Sequence, residues 1–149
     1  MTEINGTETH LPPASPEAAL SAFYKGFNGR DLAAVEANWL ATDAAAMSNP
    51  VGGVMRGWDQ IRGVYQRIFG GPATVWVAFH DFTIHQTDGM FCAVGRERGT
   101  FTRDGATVHL KIRTSRVFVM TPDGWRQLHH HGSIDDPELL ARYQMAVRG

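Results

Sequence analysis

Arg96 and Arg116 are the residues in this chain best suited to hold an anion, and the run His129-His130-His131 raises the question of a base or a metal site. All five lie in stretches that alternate apolar and polar residues as strands do. A three-residue loop at Arg103-Asp104-Gly105 pairs Thr102 with Ala106 and sets Arg96 opposite Ile112. Arg96 then shares a face with Thr114 and Arg116, because side chains alternate along a strand. A one-residue change in that loop reverses the arrangement. Pairing Met120 with Trp125 across the next turn sets Arg116 opposite His129 and Thr114 opposite His131. The expected inner face thus collects Arg96, Thr114, Arg116, His129 and His131. Two buried guanidiniums need compensation, and their forks match a carboxylate or phosphate. A small carboxylate is therefore the expected ligand. Strand arginines also commonly lie on a solvated face or pair with an acid, and Glu97 is adjacent to Arg96 but points the other way.

His129 and His131 are the candidate catalytic bases, since a free imidazole titrates near about 6.5 and nearby arginines favour its neutral form. They are also candidates for metal. Neighbours on a strand diverge, however, so only these two converge, and no Cys, Asp or Glu at ligand spacing joins them. The expectation is no metal and no cofactor.

The elements that must position these residues are legible in order. Residues 1–14 are polar, end in Leu11-Pro12-Pro13 and read as a flexible tail; residues 15–149 read as one domain. Ser15-Pro16-Glu17 has the cap, proline and acid of a helix start. Leu20, Phe23, Tyr24 and Phe27 form its apolar face, and Asn28-Gly29 ends it. Asp31 caps a second helix with Leu32, Val35 and Trp39 inward. A short strand at Ala44 to Met47 leads to the loop Pro50-Val51-Gly52-Gly53. A third helix runs from Trp58 to Phe69, stopped by Gly70-Gly71-Pro72. The period then changes to two over Thr74 to His85, Phe91 to Thr102, Thr107 to Thr121 and Trp125 to Ser133, separated by Asp-Gly turns. A last helix starts at Asp136-Pro137-Glu138, with Leu140, Tyr143 and Val147 inward. Helices first and then an antiparallel meander indicate an α+β fold: a curved antiparallel sheet with N-terminal helices, forming a cone. Tyr24, Trp39, Asn49, Tyr65 and Trp76 are expected around its cavity. The uncovered sheet face implies a homodimer.

Fourteen basic and fifteen acidic residues give a net charge of −1, which supplies no general attraction for nucleic acid or anionic membrane. The single cysteine, Cys92, excludes an internal disulfide and reads as a buried, inert thiol. No signal peptide or membrane span is visible, so a cytoplasmic location is expected.

Several segments carry a resemblance. Asn28-Gly29-Arg30-Asp31-Leu32 looks like a helix junction, and Gly57 a helix start, of the nuclear transport factor 2-like superfamily. Ala93-Val94-Gly95-Arg96, Thr114-Ser115-Arg116-Val117-Phe118 and Trp125 to Ser133 look like its pocket strands. The chain most resembles the SnoaL-like branch that includes the association domain of calcium/calmodulin-dependent kinase. Gln127, where the family usually has an aliphatic residue, and the helix after Asp135 depart from the pattern. The resemblance implies a small-molecule pocket, a cofactor-independent isomerase, cyclase or dehydratase, or a homo-oligomerisation module. Ketosteroid isomerase and polyketide cyclase relatives use a pocket aspartate. The candidates here are Asp43, Asp59 and Asp81, the first two standing at helix ends, where capping is the commoner role.

Overall fold

The computed structural model describes residues 2–148. In chain order the elements are β1 (Glu3–Ile4), α1 (Pro16–Asn28), α2 (Leu32–Asn38), β2 (Ala46–Ser48), β3 (Met55–Arg56), α3 (Trp58–Gly70), β4 (Thr74–Gln86), β5 (Met90–Arg103), β6 (Ala106–Thr121), β7 (Gly124–Ser133) and α4 (Pro137–Arg148). The strands form one sheet in the order β1-β4-β5-β6-β7-β2-β3. Strands β4 to β7 are the antiparallel meander expected from their Asp-Gly turns. The sheet is mixed only where β2 runs parallel to β7.

Local chemistry explains the helices. Ser15 Oγ accepts the Ala18 N–H at 3.2 Å, and Pro16 stands at the first helical position. Leu20, Phe23, Tyr24 and Phe27 are buried along one side of α1. Gly29 N–H closes the helix on Lys25 O. Arg30, at φ 53°, then turns back so that its Nε donates to Phe69 O at 3.0 Å. The end of α3 therefore has its orphan carbonyl satisfied by the α1–α2 junction.

The helices cover one face of the sheet, and the core lies between them. Phe79, Phe91, Ala93 and Phe118 from the strands meet Leu20, Phe23, Tyr24 and Ile61 from the helices, all essentially without solvent exposure. Gly95 and Gly99 let β5 approach β4 where the sheet coils. A methyl group at Gly95 would lie 2.7 Å from His80 O, and at Gly99 it would overlap Trp76 O. A strand glycine marks such a close approach.

The segment expected as a flexible tail is not detached. Ile4 is fully buried and β1 pairs with β4 through Glu3 and Ile4. Glu8 accepts from Asn5 N–H, Gly6 N–H and Ser21 Oγ, which folds residues 5–8 back onto α1. The apolar Ile4 supplies the driving force, and a single such residue in a polar stretch carries no periodicity. Met1, the first residue of the expected tail, and Gly149 lie outside the described residues.

Candidate functional site

Two details of strand pairing decide which residues meet inside the cone. The first is the β5–β6 turn. It has two central residues, Asp104 and Gly105, at φ 53° and 80°, the conformation Asp-Gly favours in a two-residue hairpin. Arg103 therefore pairs with Ala106, and Arg96 with Arg113. Every side chain on β5 changes face relative to the three-residue loop. Arg96 points outward, about half exposed, with Asp81 Oδ2 3.7 Å from its Nε. Glu97 takes the inner position and is 5% exposed.

The second detail is a bulge in β7. Met120 pairs with Trp125 as expected and Phe118 with Gln127, but Val117 pairs with His129. Leu128 is the additional residue, and such an insertion exchanges the faces of all later residues on the strand. Arg116 consequently faces His130. His129 is bound by its Nδ1 to Ala46 O at 2.9 Å at the β2 edge. His131 is exposed and lines an outer groove of about 550 Å³ with Arg96, Arg113 and Asp81. The paired-arginine anion site, and the catalytic assignment to His129 and His131, are thus replaced by a different inner cluster.

That cluster centres on Arg116, which is 2% exposed. Its Nη2 donates to Glu97 Oε2 at 2.9 Å, its Nη1 to Gln127 Oε1 at 2.6 Å and its Nε to Tyr24 Oη at 3.3 Å. Tyr24 Oη donates in turn to Glu97 Oε2 at 2.7 Å. Gln127 Nε2 donates to Asn38 Oδ1, and Asn38 Nδ2 to Ala19 O. The Phe23 ring covers the guanidinium at 3.8 Å, a cation–π contact. A fully buried charge is tolerable because each fork of the guanidinium has a partner and a carboxylate balances it. Burial works against the charge, but Tyr24 and Glu97 outweigh it and hold Arg116 above the ordinary arginine range. Burial first, and then Glu97, hold the Tyr24 phenol well above its usual range.

A cavity of about 30 Å³ lies beside this cluster, lined by Tyr65, Asn49, Glu97, Arg116, His130 and Tyr143 among others. Among the described residues two buried groups have no hydrogen-bond partner: Tyr65 Oη, whose residue lines the cavity, and Trp39 Nε1, whose residue does not. Their rings are 6.4 Å apart. Burial pushes the Tyr65 phenol up to about 12, against the pull of Arg116 and the Trp39 indole.

His130 is buried. Its Nδ1 faces Ser115 O at 3.3 Å, so Nδ1 carries the proton and Nε2 is the basic nitrogen. Burial first, then Arg116, then the flanking histidines hold its pKa well below 6.5. Below that pH an unfolded chain takes up a proton that the folded chain refuses. The stability His130 contributes is therefore complete above about pH 6.5 and is lost as pH falls toward the folded pKa, by at most about 1.4 kcal/mol per pH unit. We expect the melting temperature to fall between about pH 7 and pH 5 and the fall to flatten in His130→Gln, as tracked by circular dichroism.

Of the sequence candidates, Arg116, Thr114, Tyr24, Trp39 and Asn49 lie on the inner side; Arg96 and His131 do not. Thr114 is buried, its hydroxyl reaching only Ile112 O at 3.5 Å. Asp43, Asp59 and Asp81 are exposed, and Trp76 stands 43% exposed on the outer face. Cys92 is half-buried on that same outer face rather than buried, opposite Val117. Glu97, Gln127, Asn38 and His130 were not among the candidates. Gln127 left a signal: a polar residue spaced two from the buried Trp125. Among the described residues no group of three or more His, Cys, Asp and Glu could hold a metal ion, and no described helix is long and apolar enough to cross a membrane.

The architecture recurs among known proteins. A family model described as a SnoaL-like domain matches residues 17–137. No curated protein matches the chain. Among solved structures, a candidate dehydratase of the nuclear transport factor 2-like family from Streptomyces avermitilis superposes with a TM-score of 0.71 at 22% identity, over 78% of this chain and 90% of that one. A ketosteroid isomerase-like protein from Erwinia carotovora atroseptica gives 0.70 at 22% identity, over 81% and 94%. A candidate calcium/calmodulin-dependent kinase type II association domain from Thiobacillus denitrificans gives 0.65 at 24% identity, over 87% and 100%. At these identities the likeness establishes the shared fold.

Proposed function

The chain belongs to the SnoaL-like domain family, and on that premise we propose that its interior site binds a small, uncharged, largely apolar molecule through one carbonyl or hydroxyl oxygen. The observation that carries this reading is the unpartnered buried hydroxyl of Tyr65, which lines the cavity beside Arg116. A buried polar group left unpaired costs about 1–3 kcal/mol, and an oxygen acceptor in the cavity offsets that cost by accepting from Tyr65 Oη. Glu97 already balances the Arg116 charge, so a carboxylate ligand would add an unmatched negative charge to a closed site. Phe23, Phe27 and Tyr65 supply apolar walls.

The test is thermal stability against phenol, cyclohexanone and benzoate. The neutral compounds should raise the melting temperature, by the equivalent of about 2.7 kcal/mol at a hundredfold excess over Kd. Tyr65→Phe should weaken their binding about tenfold, the worth of one hydrogen bond, while Arg96→Ala should leave it unchanged. Stabilisation by benzoate alone, or sensitivity to Arg96→Ala, overturns the reading.

His130 favours a second reading, a cofactor-independent isomerase or dehydratase. A neutral imidazole that lines the cavity is available to abstract a proton. Catalysed deuterium uptake at the carbon next to the carbonyl of bound cyclohexanone, lost in His130→Gln, would support turnover over simple binding.

A further inference from the structure

We propose that α4 is the gate of the interior site and that Tyr143 sets the size of the molecule that passes, an inference that rests on reading the cavity as a binding site. All of the helix but its first residue lies beyond the matched residues 17–137. Tyr143 is 4% exposed and lines the cavity. Its ring packs 5.6 Å from Phe101, near the end of β5. Burial first, and then the Glu97 carboxylate, raise its phenol above the ordinary range.

The attachments of α4 are weaker than those of the other walls. Strands β4 to β7 are held by long ladders, and α1 buries seven residues where α4 buries three. The outer part of α4 is fastened by side chains reaching single carbonyls on both sides of the mouth. Gln144 Nε2 donates to Pro50 O at 3.1 Å and Arg148 Nη2 to Val51 O at 3.4 Å. From the opposite rim, Arg103 Nη1 donates to Met145 O at 3.1 Å and Ala146 O at 3.2 Å. The apolar seal consists of Tyr143, Ala146 and Val147, while Met145 stands 73% exposed. Releasing these contacts separates α4 from the mouth without parting a ladder. Asp136 caps the other end by accepting the Glu138 and Leu139 N–H groups, and with Ile134 buried and Asp135 paired to Arg113 at 2.8 Å that end stays tied to the sheet while the outer part opens. With the mouth shut, a cavity of about 30 Å³ has room for little more than water. A ligand with an apolar body must move the part of the wall least tied to the core.

The test needs no ligand for its first reading. Trp39 Nε1–H has no partner, whereas Trp58 Nε1 donates to Glu36 and Trp125 Nε1 to Ala14 O. Exchange of each indole proton with water is read separately by NMR. We expect Tyr143→Ala to speed exchange at Trp39 at least about tenfold with Trp58 and Trp125 unchanged, and Tyr143→Phe, which keeps the bulk, to leave all three slow. Tyr143→Ala should also admit 2-naphthol faster than the native chain does, in stopped-flow binding. Unchanged exchange at Trp39, or equal acceleration at all three indoles, overturns the gate. Selective acceleration at Trp39 with no phenol bound by either chain leaves the gate standing and overturns the binding reading instead.

Discussion

Replacing Glu97 by alanine lowers the stability of the folded chain by about 3–5 kcal/mol, because it leaves the Arg116 guanidinium buried without a counter-charge. Arg116 and Glu97 are 2% and 5% exposed, so little water can enter to compensate. Gln127 and Tyr24 would still contact the guanidinium, but both are neutral. For a chain of this size the melting temperature should fall by about 2–4 °C per kcal/mol, readable by calorimetry. The informative comparison is the double variant Glu97→Leu with Arg116→Met. Removing both charges replaces a desolvated ion pair by apolar contacts of similar volume, and such exchanges are often neutral. The double variant also leaves Tyr24 Oη and Gln127 Oε1 without partners, at about 1–3 kcal/mol each, so only part of the lost stability should return. A double variant as unstable as Glu97→Ala would mean that these orphaned polar groups, rather than the charge, dominate the cluster. Because Phe23 and Tyr24 lie against Arg116, the same comparison reports how far α1 depends on the ion pair for its seat on the sheet.

The second large effect concerns Gly99. Alanine there should cost about 3 kcal/mol or more, the upper range for overpacking. Its methyl group would overlap Trp76 O and come within 2.8 Å of Val77 Cα, both backbone atoms. Strand β4 cannot withdraw at this point. Val77 N–H donates to Asn28 Oδ1 at 2.9 Å, and Val77 O accepts from Asn28 Nδ2 at 2.8 Å, fastening β4 to α1. Gly63, in the middle of α3, provides the contrast, since a methyl group there meets nothing within 4 Å. Gly63→Ala should stabilise the chain by about 0.5–1 kcal/mol through helix propensity. The same substitution thus carries opposite signs at two positions, measurable by urea denaturation. Equal effects at both would show that β4 and β5 separate more easily than their contacts imply.

Much of the architecture is legible before any coordinates. The helix starts rest on local chemistry: Ser15 before Pro16, and Asp31 accepting from Ala34 N–H. The apolar faces of α1 and α3 repeat at helical spacing, and Asp-Gly dipeptides mark the meander. Local signals of this kind need only a few neighbouring residues, and they suffice for the α+β order and the SnoaL-like resemblance. The same reading placed Arg116, Tyr24, Trp39, Asn49 and Thr114 on the inner side.

Beyond its reach was the face that each strand turns inward. A strand repeats every two residues, so one residue more or less in a turn exchanges its entire inner and outer sets. The two-residue turn at Asp104-Gly105 put Arg96 outside and Glu97 inside, turning an expected anion site into a self-neutralised ion pair. The bulge at Leu128 put His130, not His129 or His131, beside Arg116. The Asp104-Gly105 dipeptide itself favours a two-residue turn, a local signal that the three-residue pairing passed over. The bulge at Leu128 leaves no such mark and is settled by tertiary contacts, where the β7 edge must also meet β2. Residue types and the turn are therefore carried by the sequence, but their convergence into one charge-balanced cluster is decided only when the strands pair, because a one-residue bulge is invisible locally and complete in its consequences.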